Sequence, residues 1–246
     1  MLNEEEFNQI TNSRLPSRRA IHAIEVAVVA FIISSKAVSW LIYVCSGSPG
    51  SPGQLTTAPD AMILRNLQYI ALIWFMAWRN SERLSLFGLV RPKFAADILI
   101  GVGVFLIAKA MQAAVIYIQM TESRVVDIAS NISISTLRFN RESSFVTIII
   151  AMILVSCSEE LIYRGYFLTR FRMITGSNVV AVLFSSVMFG ISHWPMPITT
   201  IVGTALVGIV LGVIRVFRCS LWPSIFAHLI NNIIFLTFYK SLINNN

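Results

Sequence analysis

Charged residues are scarce in this chain: they make up 13% of its 246 residues, whereas soluble domains carry about 25%. Cysteine and histidine are rarer still, with three of each. Cys45, Cys157 and Cys219 lie far apart without paired spacing, which argues against a disulfide framework and a zinc knuckle. Apolar and polar residues do not alternate in strand-length segments, so a β-barrel is not indicated. The remaining composition is dominated by apolar residues, at 56% of the chain.

Long apolar runs fill most of the sequence. An α-helix needs about 17 to 25 mainly apolar residues to cross a bilayer. Seven windows of this kind occur, at roughly 20–45, 62–78, 95–119, 144–166, 178–194, 198–217 and 222–239. A short re-entrant helix in the first window or in 120–143 would make an eighth. The sequence therefore predicts an all-α fold, a polytopic transmembrane bundle of about seven to eight helices, forming one domain over 1–246.

The formal net charge of +7 raises the question of nucleic-acid binding. The basic residues, however, cluster beside apolar windows: Arg18 and Arg19 precede the first, and Arg83 and Arg91 lie between the second and third. The loop 46–61 contains neither Lys nor Arg. By the positive-inside rule, this pattern predicts a multi-pass membrane protein with a cytoplasmic N-terminus. The partner of the charges is then membrane lipid and not nucleic acid, and the short chain suggests the inner (plasma) membrane of a bacterial cell.

Two shorter features have structural interpretations. Leu84–Lys93 is predicted to be a cytoplasmic loop or a short interfacial helix, with its leucines and phenylalanine at the level of the lipid headgroups. Gly208 and Gly212 are four residues apart in the sixth window, a spacing that allows close packing of a neighbouring helix.

Two adjacent glutamates end the apolar run 145–157. A carboxylate at membrane depth costs several kcal/mol on most estimates, so it is functional by default. Neighbours on a helix point about 100° apart, which predicts different roles for the two. Glu160 precedes Arg164 by four residues, the favourable order for a structural ion pair. Glu159 is then the candidate catalytic carboxylate, acting as a general base that takes a proton from water.

Two histidines lie within late apolar windows, whereas His22 lies at the edge of the first. The pairs Phe189/His193 and His228/Asn232 are each four residues apart, so each pair shares one helix face. Either histidine alone is compatible with a simple polar contact between helices. Together with the two glutamates, they become the main candidates to form a shared site.

Helix geometry allows these residues to meet. A turn is predicted at about 175–178, and Glu159 and His193 are each about 16 residues from it. In an antiparallel hairpin both then lie about 24 Å from the turn, at the same level. The prolines in Trp194–Pro197 predict a helix break that lines a water-filled cavity. Such a set suits peptide hydrolysis by activated water, with His193 sharing the water and with His228 and Asn232 donating hydrogen bonds to the oxyanion.

Three motifs stand in order across three apolar windows: Glu159-Glu160-x-x-x-Arg164, Phe189-x-x-x-His193 and His228-x-x-x-Asn232. They resemble the motifs of the CAAX protease and bacteriocin-processing family of intramembrane glutamic endopeptidases, which includes the type II CAAX prenyl endopeptidases. The motif-bearing core covers about 144–240.

The resemblance implies a helical bundle, usually of about eight membrane helices, with a specific division of labour. Glu159 and His193 would activate the water, and His228 and Asn232 would stabilise the oxyanion. Glu160, Arg164 and Phe189 would support them. The expected substrate is a peptide, such as a bacteriocin or pheromone precursor, or a membrane protein.

Three alternatives stay open on the sequence. No cofactor is predicted, but Glu159, His193 and His228 are a possible zinc-ligand set with water as fourth ligand. A proton-coupled carrier would also use buried Glu and His, but it predicts an inverted repeat, which is not evident here. A non-catalytic bacteriocin-immunity or membrane scaffold protein of the same family is the third.

Overall fold

The computed structural model describes residues 16–34, 59–121, 144–193 and 198–244. Three sequence predictions lie outside these ranges: the first window beyond Ser34, most of the re-entrant segment 120–143, and the break at Trp194–Pro197. Within the described ranges, all regular secondary structure is helical. The prediction of an all-α fold is thus confirmed.

Seven long helices account for most of the described residues. They are α1 Pro16–Ser34, α2 Pro59–Arg79, α3 Phe94–Thr121, α4 Phe145–Thr175, α5 Asn178–Ile191, α6 Ile198–Arg218 and α7 Trp222–Asn244. Each corresponds to one predicted apolar window, in the predicted order. By length and composition, α2, α4, α6 and the part of α3 at Phe94–Ala114 can cross a membrane, and α5 is a shorter apolar helix. The chain is a multi-pass membrane protein.

Helix α4 changes its winding directly after the two glutamates. It is α-helical over Phe145–Glu160, π-helical over Leu161–Phe167 and α-helical again over Leu168–Thr175. Gly165 lies in the wide turn, where a Cβ atom would stand 3.2 Å from the Phe87 carbonyl oxygen. Short π-helical turns occur often at functional sites.

The turn between α4 and α5 forms where the sequence predicts it. Gly176 ends α4 in the left-handed region at φ +74°, and the Ser177 hydroxyl accepts the Val180 N–H to cap α5. Helix α5 then ends at Ile191, although the prediction extended it to 194. Its last turn closes when the His193 N–H bonds the Gly190 carbonyl. In the sequence, Pro195 follows shortly after, and helices usually end at or before the residue that precedes a proline. The sequence predicted that His193 shares a face of α5 with Phe189. In the structure, His193 lies in the turn that follows α5.

Helices α5 and α6 pack closely through glycines. A Cβ on Gly208 would lie 3.0 Å from the Ser186 Cβ, and one on Gly212 would lie 3.1 Å from a Val182 methyl group. The close packing predicted from the Gly208/Gly212 spacing is therefore confirmed.

The segment 84–93 begins with a short helix, as the sequence allows, but Leu86 and Phe87 pack inside the bundle and not against lipid headgroups. Leu84–Phe87 forms a 3-10 turn, and Phe87 is completely buried, with its ring 5.9 Å from the Tyr166 ring. The Gly88 carbonyl accepts the Leu221 N–H at 3.0 Å. The Arg215 guanidinium donates to the Leu86 carbonyl at 3.1 Å. These two hydrogen bonds to backbone carbonyls hold the segment inward, against α4, α6 and the start of α7.

Replacing Gly88 with Ala is expected to destabilise the protein by about 1–3 kcal/mol, because a side chain in the left-handed region is strained. Gly88 has φ +88°, and an added Cβ would lie 2.5 Å from the Arg215 Nε. Arg215 must then leave its bond to Leu86. Thermal unfolding in detergent would measure the loss.

Gly103→Ala is the matched control. Gly103 lies within α3, and an added Cβ would meet nothing within 4 Å. We expect this variant to be neutral or more stable, because Ala favours the helix over Gly by about 0.8–1.0 kcal/mol. Equal losses in the two variants would contradict the role given to Gly88.

A buried ionic cluster joins the far end of α4 to α1 and to the α2–α3 connection. Arg170 is completely buried and donates both terminal nitrogens to the Glu82 carboxylate at 2.6 Å. Its Nε lies 3.3 Å from a Glu25 oxygen but is not aligned for a hydrogen bond. Arg164 and Arg215 are also buried. Arg170 and Arg164 therefore belong to the interior of the bundle and not to an aqueous face.

Candidate active site

Helix α4 holds its two glutamates in different environments. The Glu160 side chain is fully buried, at 0% exposure, whereas that of Glu159 is 28% exposed. Adjacent side chains on a helix point about 100° apart, so one helix can seal one carboxylate and leave the other accessible. This is the separation that the sequence predicts for the pair.

The predicted ion pair is present. The Arg164 Nη1 donates to the Glu160 Oε1 at 3.0 Å, and the Arg164 side chain is only 1% exposed. Its guanidinium lies 4.0 Å from the centre of the Phe189 ring, a cation–π distance. A Cβ on Gly208 would come 3.3 Å from the Arg164 Nη2, so the glycine leaves room for the guanidinium. Helices α4, α5 and α6 thus enclose one buried charge pair.

His228 of α7 lies between the two carboxylates. Its Nδ1 is 3.0 Å from the Glu160 Oε1, a hydrogen bond, and its Nε2 is 3.7 Å from the Glu159 Oε2, beyond hydrogen-bond length. Because ionised Glu160 can only accept, the Nδ1 carries a proton. The site therefore brings Glu159, Glu160, Arg164 and His228 together from two helices.

His193 lies next to Phe189. Its Nδ1 donates to the Phe189 carbonyl at 2.9 Å, which leaves Nε2 as the acceptor of a neutral ring. The Phe189 ring centre is 5.0 Å from that of His193 and 6.0 Å from that of His228. Both histidines therefore border one aromatic ring. The imidazole beside Glu159 is that of His228, and the water that Glu159 and His193 would share stays a prediction.

Asn232 lies one turn beyond His228 on α7 and contacts α4. Its Nδ2 donates to the Ser156 hydroxyl at 3.1 Å, and its Oδ1 lies 3.4 Å from the Asn231 Nδ2. Ser156 is not part of the three sequence motifs. Its signal in the sequence is a hydroxyl residue near the end of an apolar run, one turn before the glutamates.

A further polar contact fixes α2 beside the site. The Ser158 hydroxyl makes a short hydrogen bond to the Asn66 Oδ1, and the Asn66 Nδ2 donates to the Met62 carbonyl at 2.7 Å. Both side chains are buried. This pair could not be predicted from the sequence either, because helix rotation decides which polar side chains meet.

In the described part of the chain, no group of three or more His, Cys, Asp or Glu side chains is arranged to hold a metal ion. The Nδ1 of His228 is bonded to Glu160, and the Nδ1 of His193 is bonded to the backbone, so each ring has only its Nε2 for a metal. The metal-free reading and the zinc reading both stay predictions.

Residues 141–234 match the family described as type II CAAX prenyl endopeptidase, Rce1-like. The chain carries an Rce1-like domain. This match confirms the resemblance drawn from the three motifs, all of which lie inside it, and it supports a CAAX-type membrane protease at the level of the family. The Rce1-like domain covers less than half of the chain, from the start of α4 into α7. No curated protein and no solved structure matches the chain.

Proposed function

We propose that this protein is an intramembrane endopeptidase that hydrolyses peptide bonds of membrane-associated peptides or proteins. The observation that carries the proposal is the contrast between the two glutamates. Glu160 is sealed in an ion pair, while neighbouring Glu159 is accessible and lies beside an imidazole. A general base must reach the proton that it takes, and of the two carboxylates only that of Glu159 is accessible to water and substrate.

In the proposed reaction, Glu159 takes a proton from a water molecule as the water oxygen bonds to the substrate carbonyl carbon. His193 would accept a hydrogen bond from the same water through its Nε2. The carbonyl oxygen becomes an oxyanion. Collapse of this intermediate breaks the C–N bond, and protonated Glu159 gives its proton to the leaving amine. No serine or cysteine nucleophile takes part.

His228 and Asn232 are proposed to stabilise the oxyanion. Because the His228 Nδ1–H faces Glu160, its Nε2 can donate only when the ring carries both protons. Ionised Glu159 and Glu160 together with Arg164 leave one net negative charge, which a doubly protonated His228 would balance. Donors placed in advance around a developing oxyanion lower the barrier most in a site that excludes bulk water.

The proposal needs no metal or cofactor. Loss of all activity with a chelator and its return with zinc would instead favour a metal held by Glu159, His193 and His228.

Location in a bacterial inner membrane, with a cytoplasmic N-terminus, is part of the proposal. The orientation is supported by the basic residues Arg79, Arg83, Arg91 and Lys93, which extend from the end of α2 to the start of α3. This orientation places Cys219, which is exposed between α6 and α7, on the cytoplasmic side. We expect a membrane-impermeant maleimide to label Cys219 in inverted vesicles but not in intact spheroplasts, in a variant with Cys45 and Cys157 replaced by Ser. The opposite labelling would reverse the orientation.

Comparative peptidomics tests the proposed function. Membranes that contain the wild-type protein should yield peptide fragments that are missing from membranes with Glu159→Gln. Asp60→Asn is the matched control, because it removes an exposed acid from the first turn of α2 without touching the site. Identical fragments from the wild-type and Glu159→Gln membranes would favour the non-catalytic immunity or scaffold role.

A further inference from the structure

Asn232 of the third motif contacts a residue outside the motifs, Ser156 of α4. The Ser156 hydroxyl is completely buried and donates to the Met152 carbonyl at 2.9 Å. The same oxygen accepts the Asn232 Nδ2 at 3.1 Å. We propose that Ser156 is a positioning residue that sets the orientation of the Asn232 amide for oxyanion binding. This inference rests on the proposed function.

The hydrogen-bond directions support this role. A hydroxyl has one hydrogen, and that of Ser156 is used on the Met152 carbonyl, which can only accept. Ser156 therefore presents a lone pair to Asn232. Only the NH2 end of the amide can meet a lone pair, so Ser156 determines which end of the Asn232 side chain faces α4.

The opposite end of the amide is held too. The Asn232 Oδ1 lies 3.4 Å from the Asn231 Nδ2, on the same helix. With the oxygen turned toward Asn231 and one N–H bonded to Ser156, the second N–H of Asn232 is the one left for a substrate oxyanion. A donor fixed in this way needs no reorientation during the reaction.

The dependence between the two residues is one-sided. Ser156 satisfies its own hydrogen through the backbone four residues earlier, as buried serines in helices commonly do. Asn232, in contrast, would lose the partner that orients its NH2 group. A role for Ser156 therefore shows in the rate of reaction more than in the stability of α4.

Ser156→Ala is expected to lower kcat about tenfold to a hundredfold, with little change in KM. This loss does not exceed the one expected from removal of the oxyanion donor itself, because the Asn232 amide is still present. Ser185→Ala is the matched control. The Ser185 hydroxyl is also buried and also donates to a backbone carbonyl, that of Val182 at 3.1 Å, but it lies on α5. We expect this control to keep the wild-type kcat.

A double-mutant cycle distinguishes positioning from a general structural effect. In an Asn232→Ala background, Ser156→Ala should cause no further loss of kcat. Additive losses, or a wild-type kcat in Ser156→Ala, would overturn the inference and leave the proposed function standing. A wild-type protein that cleaves no peptide would overturn the proposed function and this inference together. The same cycle measured by thermal unfolding reports the contact itself: coupling between Ser156 and Asn232 supports it, and its absence contradicts it.

Discussion

Glu159→Gln is expected to reduce kcat by about 10²- to 10⁴-fold, the usual contribution of a general base. The amide has the size of the carboxyl group but cannot accept a proton from water. Because Glu159 is 28% exposed and stands 3.7 Å from the His228 Nε2, the stability of the fold should change little. Kinetics with a peptide found by peptidomics, together with the thermal unfolding midpoint, would measure both effects.

The expected separation of activity from stability is the decisive part of this result. A variant that retains kcat within tenfold of the wild type would remove Glu159 from the reaction. A variant that loses activity only because it unfolds would place Glu159 among the structural residues. Glu160→Gln offers the comparison: the same chemical change one residue later should lower stability, because Glu160 is bonded to Arg164 and His228 and is fully buried.

Arg164→Met is expected to destabilise the protein by about 3–5 kcal/mol, the cost of leaving a buried charge without its partner. Glu160 would remain at 0% exposure with only His228 beside it. The Met side chain also gives up the cation–π contact with Phe189. Thermal or denaturant unfolding in detergent measures the change.

Arg79→Met is the control for this prediction. Arg79 lies 3.6 Å from a Glu25 oxygen, but its side chain is 48% exposed. Glu25 is buried, but without Arg79 it keeps the Asn80 hydrogen bond and the neighbouring Arg170. Removal of the exposed partner should therefore cost only about 0–1 kcal/mol. The double variant Glu160→Gln/Arg164→Met should recover part of the loss, since neither charge is then buried alone. Equal losses at positions 79 and 164 would show that the buried pair is not special.

Sequence reasoning predicted the helices and the ion pair because both depend on local spacing. Apolar windows of bilayer length indicate α2, α3, α4 and α6, and the four-residue separation of Glu160 and Arg164 holds across the start of the π-helical turn. It did not predict that the side chains of Leu86 and Phe87 are buried. Apolar residues in a short segment look alike whether they face lipid headgroups or a bundle interior. Here, hydrogen bonds from the Arg215 side chain and the Leu221 N–H to backbone carbonyls of the segment decide between the two, and both donors come from distant parts of the chain.

The site was only partly predictable for the same reason. The grouping of Glu159, Glu160 and His228 was expected from their polarity in apolar windows. The contacts of Ser156 with Asn232 and of Ser158 with Asn66 depend on how α7 and α2 are rotated about their axes. The periodicity of 3.6 residues in the sequence does not reveal that rotation. Within Leu161–Phe167 the helix is π-helical, so the period itself does not apply there.

Both ends of the π-helical stretch are anchored to other parts of the bundle. On one side, Ser158 is bonded to Asn66 of α2, and on the other, Arg170 is bonded to Glu82. Because neither half of α4 can swivel freely, the bond between Arg170 and Glu82 also helps to set the direction in which Glu159 points. Suppose that one anchor were released and Leu161–Phe167 rewound as an α-helix. The helical register would then shift by one residue, and Glu159 and Glu160 would turn by about 100° relative to Leu168–Thr175. The direction of the Glu159 side chain thus depends on the whole of α4, including the distant ion pair between Arg170 and Glu82.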